Sequence, residues 1–370
     1  MSFSPIDLPP NATELEVSLF GPGIGECIVA HLGFDNWMIV DSCLSADKST
    51  SVAISYLRKL GVEVDDRVKL FVITHWHADH IAGARSIISE CSNARVVLSG
   101  AWRSKEFAKL ITASLTPKLI NRRGAGEEIQ SVFDKLKARG RSLGDADHWA
   151  QDGMRLFDHM GVSVTALSPS SETVTAAAMR LAELLPKEGT TPVRVPPVRE
   201  NDQSIVLQID TKQFSTLLGG DLEVSSSERR GWNAVLASPV RPKSKSTVFK
   251  VSHHGSSNGD TAKIWLALLE RNPVALVSPY VAGRKQLPSV EDVARITARP
   301  AELYCTVWPI DRKPVRRNPG VDRTLREMVH SHRTISKTPG HIRIRVPLEF
   351  NGKIETVELF DGATCLSAAS

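Results

Sequence analysis

The chain of 370 residues lacks the features that mark several large classes of protein. No apolar stretch is long enough to span a bilayer, which excludes an ordinary helical membrane protein. The five cysteines (Cys27, Cys43, Cys91, Cys305 and Cys365) are odd in number, scattered and never in CxxC spacing. That is not the pattern of a disulfide-stapled secreted protein; it suits a reduced compartment, with the thiols as small buried apolar groups. No basic N-terminal region followed by an apolar core is present, and residues 1–16 are polar and Pro-rich, an ordered lead-in rather than a signal peptide. A soluble cytoplasmic protein is expected. A strong excess of one charge is also missing: +5 is modest for this length and is a weak argument for an anionic partner. No internal repeat is visible. What remains, 41% hydrophobic and 24% charged residues, is the composition of a soluble globular protein with ample core.

The distinctive residues are concentrated. Thr74-His75-Trp76-His77-Ala78-Asp79-His80 places three of eleven histidines and an aspartate directly after the apolar run Leu70-Phe71-Val72-Ile73. Imidazoles and carboxylates are the ligands that borderline divalent metals prefer, and three crowded imidazoles have no comparable use in a core. A strand ending at Thr74 delivers these side chains to the loop at its carboxyl end, where open α/β sheets place their sites. A merely polar loop accounts for one or two histidines but not for three, so the segment is read as metal-holding.

Around it the chain reads as alternating elements. Strands are expected at 15–20, 27–32, 37–40, 69–74 and 96–98, with helices across 50–60 and 80–90. Residues 101–160 differ, with mostly helical periodicity and basic clusters at Arg122-Arg123 and from Lys135 to Arg141. A strand at 162–167, a helix at 173–186 and a Pro-rich linker at 186–198 follow. Then come a hairpin-like pair (204–209 and 214–218), strands at 247–251, 274–278 and 304–307, and helices at 260–271 and 289–298. The segment 311–345 holds ten Lys/Arg against three Asp/Glu, and the last strands are expected at 342–346 and 355–359.

Two later segments repeat the geometry of the first motif. Leu217-Leu218-Gly219-Gly220-Asp221 is an apolar strand running into glycines and an acid, and Val248-Phe249-Lys250-Val251-Ser252-His253-His254-Gly255-Ser256 is a strand running into paired histidines. Asp221 alone could be a helix N-cap. Adjacent histidines after a buried strand are harder to explain that way. Asp41, at another strand end, either caps the next helix or hydrogen-bonds a ligand histidine.

Taken in order, His75-Trp76-His77-Ala78-Asp79-His80, Glu200-Asn201-Asp202-Gln203-Ser204, Leu218-Gly219-Gly220-Asp221 and Val251-Ser252-His253-His254-Gly255-Ser256 resemble the metallo-β-lactamase superfamily. Within it the resemblance is greatest to the soluble ComEC-like domain of DNA-uptake competence proteins and its stand-alone relatives. It covers residues from about 15 to 345 in element order, with 101–160 unmatched. It implies an α/β fold of four layers, αββα, two mixed β-sheets sandwiched between helices. Residues 1–370 would form one such domain, carrying a helical insertion at 101–160 and a basic C-terminal segment at 311–345. It further implies two divalent metal ions, zinc or manganese. His75 and His77 would hold one ion, Asp79 and His80 the other; Asp221 would bridge both and His254 complete the second. Asn201 stands where the family usually has another histidine, leaving an open position on the first ion. His253 would then act as an acid or bind substrate, and Asp79, Asn201 and His253 are the catalytic candidates. Leu287-Pro288-Ser289 departs from the His-Pro-His-like stretch of the subgroup, which weakens any carry-over of substrate.

Charge then favours one chemistry. Two divalent ions, less Asp79, Asp221 and a hydroxide, leave the site net positive, suited to anionic oxygens and in-line displacement at phosphorus. The expected function is a phosphodiesterase or nuclease on DNA or another phosphodiester, with no membrane partner. Hydrolysis of a small ester, thioester or lactone is the alternative, and a non-catalytic metal-stabilised sensor or interaction module is a third. Flavodiiron oxidases resemble this motif but carry a glutamate where His77 stands, so the resemblance implies hydrolysis rather than oxygen chemistry. The basic residues Arg312, Lys313, Arg316, Arg317, Arg323 and Arg326 read equally as a solvated face or a nucleic-acid groove. Trp102 and Trp149 could stack on bases but are more commonly buried.

Overall fold

The computed structural model describes residues 8–23, 25–45, 48–103, 123–141, 145, 148–184, 200–282, 285–308, 339–350 and 352–366. Period-2 patterning builds its first strand. In β1 (Glu14–Gly23), Leu15, Val17 and Leu19 enter one buried cluster while Phe20 enters another, on the opposite face. β2 (Gly25–Leu32), β3 (Trp37–Val40), β4 (Val68–Ile73), β5 (Arg95–Ser99) and β6 (Trp149–Ala150) extend this sheet in order. The second sheet begins with β7 (Arg155–His159), β8 (Val162–Ala166), β9 (Leu207–Asp210) and β10 (Ser215–Leu218). It continues through β11 (Ser246–Lys250) and β12 (Leu269–Val277). A separate hairpin, β13 (Tyr280–Ala282) and β14 (Lys285–Leu287), precedes β15 (Glu302–Cys305), which rejoins the second sheet. β16 (Gly340–Pro347) and β17 (Val357–Phe360) return to the first sheet beside β1, and β18 (Thr364–Cys365) edges the second.

Both sheets are mixed. β3 to β6 run parallel in the first, as do β10, β11, β12 and β15 in the second, and the remaining pairs are antiparallel. Three apolar layers hold them. Met38, Val40, Leu70 and Val72 of the first sheet meet Val164, Ile209, Leu218 and Val248 of the second. Phe71, Ile73, Val96 and Leu98 pack outward against Ile54, Leu57, Ile87, Ile129 and Val132 from the helices Val52–Lys59, Ala84–Glu90 and Arg123–Ala138. Phe249, Val251 and Ala275 pack against Trp232, Ile264 and Trp265 from the helices Gly231–Ala237 and Ala262–Leu268. The result is the four-layer αββα sandwich that the resemblance implies. Among the described residues no helix is long and apolar enough to cross a membrane.

The structure corrects two local expectations. The helix expected across 80–90 is broken into Ala78–Ile81 and Ala84–Glu90. Gly83, at φ +87°, separates them, and a side chain there would meet Leu44 Cδ2 at 2.6 Å. Residues 101–160 are not a purely helical insertion. Arg123–Ala138 is helical, but Trp149 and Ala150 pair in parallel with Leu98 and Ser99, and Phe157 pairs with Val164. Sheet partners brought from elsewhere in the chain override the local helical periodicity. Trp102 (1% exposed) and Trp149 (5%) are core residues, and Trp102 Nε1 donates to Gln203 Oε1 at 3.0 Å, so neither offers a stacking face. Residues 104–122, the linker 186–198 and the basic residues from 311 to 338 lie outside the described residues. Where the basic segment is described, its charges go into ion pairs: Arg343 donates to Glu358 at 2.6 and 2.8 Å, and Arg345 to Glu16 at 2.7 Å.

Candidate metal centre

The carboxyl ends of four strands supply the site, two from each sheet. Asp41 follows β3, Thr74 and His75 follow β4, Gly219-Gly220-Asp221 follows β10, and Ser252-His253-His254 lies just beyond β11. Gly220 lies at φ +51°, and a Cβ there would sit 2.8 Å from the Ile205 carbonyl oxygen. The glycine thus lets the chain turn tightly enough to deliver Asp221. Ser204 Oγ accepts from the Asp221 N–H at 3.0 Å, so the Asn-Asp-x-Ser motif fixes that backbone as well.

The six metal candidates gather into two groups. Ligand atoms of His75, His77 and Asp221 lie within 4.8 Å of one another, and so do those of Asp79, His80 and His254. Asp221 Oδ2 faces both, at 3.8 Å from His75 Nε2, 3.3 Å from His80 Nε2 and 3.4 Å from His254 Nε2. Asp79 Oδ2 is 3.2 Å from His254 Nε2 and 3.7 Å from His80 Nε2, while His75 Nε2 is 3.0 Å from His77 Nδ1. Tetrahedral donors at about 2.0–2.1 Å from zinc stand about 3.3–3.4 Å apart, so these spacings fit ion coordination. His80 Nε2 is buried and has no hydrogen-bond partner, as a nitrogen reserved for an ion would be.

Outer hydrogen bonds set which ring nitrogen faces the site. His80 Nδ1 donates to Asp41 Oδ2 at 2.8 Å, and His254 Nδ1 to the Ser278 carbonyl at 2.9 Å. Thr74 donates its hydroxyl to Asp41 (2.9 and 2.7 Å), so its oxygen can accept from His75 Nδ1 at 3.0 Å. All three Nε2 lone pairs are thereby turned inward. Of the two readings of Asp41, the ligand-orienting one holds, since Ser51 caps the following helix. Asp41 sits in left-handed backbone (φ 60°), which asparagine tolerates as well as aspartate does. Asp41→Asn should therefore keep the loop while removing the charge behind His80. Ion affinity at the second position is expected to fall about 10–100-fold in a chelator competition; unchanged affinity would show that His80 is oriented without Asp41.

The electrostatics follow from burial and proximity. Burial disfavours the imidazolium of His80 and of His254, but the neighbouring carboxylates outweigh it. Asp221, Asp41 and Asp79 raise His80 well above the usual histidine value, and Asp221 and Glu26 do the same for His254. Conversely, Asp79 and Asp221 are held below the carboxylate range, despite burial, chiefly by His80 and by His80 with His254, respectively. His75, desolvated and flanked by His80 and His77, is held well below the usual value. The metal-free centre thus keeps protons on His80 and His254 at neutral pH, and an entering ion displaces them. Affinity at the second position should strengthen between about pH 6 and pH 8, by up to about tenfold per pH unit for each proton displaced. Calorimetric titrations in buffers of different ionisation enthalpy would count the protons; a count of zero would contradict the assignment.

The remaining candidates form a polar wall beside the donor groups. Asn201 Nδ2 lies 3.2 Å from His253 Nε2 and donates to Glu223 Oε1 at 2.9 Å. His253 Nδ1 lies 2.8 Å from Asn258 Oδ1 and 3.4 Å from Glu223 Oε1. Asn201 Oδ1 is buried without a hydrogen-bond partner. Between the paired histidines, the geometry puts His254 among the donors and His253 outside them. Sequence reasoning missed Thr74, Ser204, Glu223, Asn258, Ser278, Glu26 and Lys250. Of these Thr74, Ser204 and Lys250 stand inside the quoted segments, and the others carry no local signal.

Residues 20–161 match the family model described as the Metallo-beta-lactamase superfamily. No curated protein matches the chain in sequence. Among solved structures, a metallo-beta-lactamase with a HARLDQ motif from Cronobacter sakazakii is 15% identical, with 57% of this chain and 61% of that chain covered and a TM-score of 0.31. The metallo-beta-lactamase fold protein YhfI from Bacillus subtilis is 12% identical, with 64% and 70% covered and a TM-score of 0.31. A beta-lactamase from Chitinophaga pinensis is 10% identical, with 61% and 68% covered and a TM-score of 0.32. The chain spans less than two thirds of the Cronobacter protein's length. The matched segment carries the first ligand motif, from His75 to His80, and the two-sheet fold is the one that the resemblance of the motifs implies.

Proposed function

We propose that the protein is a two-metal hydrolase of phosphodiesters, of the ComEC-like kind, with DNA as the leading substrate class. The carrying observation is Asp221 Oδ2, shared by two donor groups, which would set two ions side by side. Divalent ions so placed supply Lewis acidity and make water nucleophilic at neutral pH, the arrangement suited to in-line displacement at phosphorus. The protein's own part is to orient those ions through Asp41, Thr74 and Ser278, and to offer His253 and Asn201 to the substrate. Zinc and manganese both suit this mixture of imidazole and carboxylate.

A second reading, hydrolysis of an uncharged ester, thioester or lactone, draws support from the charge balance. The positive excess expected from the ligands alone disappears when the buried side chains behind them are counted. Asp41 and Glu26 add two negative charges and Lys250 one positive, which leaves the loaded centre with hydroxide neutral. Net charge therefore no longer selects phosphodiesters, and the paired ions alone favour them. The deciding experiment loads the protein with zinc or manganese and offers bis-p-nitrophenyl phosphate and labelled single-stranded DNA beside a panel of thioesters, lactones and lactams. Phosphodiester cleavage lost in His77→Ala supports the first reading. Turnover confined to the carbonyl panel supports the second, and ion binding with no turnover supports a sensor or interaction module. The cytoplasmic location is likewise proposed, in keeping with five cysteines that form no disulfide among the described residues.

A further inference from the structure

Lys250 closes β11 and is 1% exposed. An ammonium is rarely left so deep without a partner. Its Nζ is in direct contact with Glu26 Oε1, donates to the Gly220 carbonyl at 3.0 Å and lies 3.8 Å from Asp221 Oδ1. Glu26 is itself 3% exposed, with Oε2 3.4 Å from His254 Nδ1 and Oε1 3.9 Å from His80 Nδ1. The positive end of this ion pair thus lies behind the shared carboxylate, and the negative end behind the two imidazoles of the second ion position. Neither side chain belongs to the two donor groups that meet at Asp221.

Glu26 also gathers with Asp41 and His80 into a third group within 4.8 Å, on the Nδ1 side of His80. The Lys250 ammonium stands against Glu26 there, a fixed cation where an ion would otherwise fit. We propose that Lys250 and Glu26 are positioning residues that set the affinity of the second ion position, an inference that rests on the two-ion reading above. Lys250 attracts Asp221 Oδ1 inward and leaves Oδ2 facing both donor groups. Glu26, alongside the Ser278 carbonyl, fixes the His254 ring so that Nε2 points at Asp79 and Asp221. His75 of the first position is oriented instead by Asp41 through Thr74, and the pair reaches that position only through the shared Asp221.

The test compares wild type with Glu26→Gln, Lys250→Met and the double variant, using chelator competition and the visible spectrum of the cobalt(II)-loaded protein. A single change strands one buried charge, and Lys250→Met in particular risks misfolding. The double change strands none and keeps the question answerable. Wild type should bind two ions. Glu26→Gln and the double variant should retain the first ion, bind the second about 10–100-fold more weakly and show an altered cobalt spectrum. A double variant with wild-type affinity at both positions and a wild-type spectrum overturns the inference, reducing the pair to a structural ion pair. Equal weakening of both positions overturns it too. A wild type that binds no ion overturns the two-ion reading and this inference together, whereas unaffected variants of a two-ion wild type overturn this inference alone.

Discussion

Replacing Asp221 by alanine should remove ion binding at both positions and, with it, hydrolysis. One oxygen of this side chain lies within 3.8 Å of three ligand imidazoles, so each donor group loses a negative donor at once. The first ion site is then left with neutral imidazoles alone and the second with Asp79 as its one carboxylate, so a doubly charged ion is held with little compensation, which a 1% exposed position tolerates poorly. Coordination to zinc lowers the pKa of water from 15.7 to about 7. Losing the ions therefore forfeits about eight orders of magnitude of hydroxide population at neutral pH, part of which the greater basicity of free hydroxide restores. A fall in turnover of at least about 10³-fold is expected on that ground. The metal-free fold suffers as well, because His80, His254 and Lys250 all face this carboxylate. Removing one partner of a buried ion pair costs about 3–5 kcal/mol, a large share of the about 5–15 kcal/mol that holds an ordinary domain together. Asp221→Asn, which keeps the shape, separates the two losses: it should unfold later than the alanine variant yet still bind ions poorly. Elemental analysis after dialysis reads the ion count, and two retained ions in either variant would remove Asp221 from the shared position.

The donors were legible because each announces itself locally. An apolar strand that runs straight into imidazoles or a carboxylate is an uncommon pattern, and His75, His77, Asp79, His80, Asp221 and His254 all stand just past such strands. The supporting residues carry no such mark. Lys250 sits among Val248, Phe249 and Val251 in a strand, where a lysine ordinarily reads as an outward-facing position; its burial depends on Glu26, from the other sheet. Glu26 in turn looks like a polar interruption of β2. Charge counted from the ligands alone was wrong for the same reason: the correction comes from long-range pairs that no local window contains. The fold shows the same division. Most strands and helices were legible within a few residues, but β6 is two residues long and β7 lies in a segment of helical periodicity, and both exist because a neighbouring strand offers hydrogen bonds.

His253 should separate catalysis from ion binding. His253 and His254 both occupy left-handed backbone, at φ 48° and 51°, a conformation that ordinary side chains avoid and that clusters at functional sites. It throws the two rings apart, with centroids 6.2 Å from each other, so one joins the donors while the other faces Asn201, Glu223 and Asn258. Burial lowers the pKa of His253, and the charges of Asp221 and Glu223 only partly offset that, so the imidazole is neutral at neutral pH. With Nδ1–H donated to Asn258 Oδ1, Nε2 carries the lone pair and accepts from Asn201. A neutral ring in that tautomer would serve as a proton acceptor, a role beside the acid or substrate-binding ones that the resemblance implies. His253→Ala is expected to lower kcat by about 10²–10⁴-fold while both ions stay bound. In wild type the acid limb of kcat/KM should fall below the ordinary histidine value of about 6.5, and in the variant that limb should vanish. If His253→Ala instead lost an ion in step with its activity, His253 would belong among the donors and the open position would lie elsewhere. Asn201→Ala separates these cases further. It removes the amide that bridges His253 and Glu223, so its main effect should be on KM and on the position of the acid limb, with the ion count unchanged.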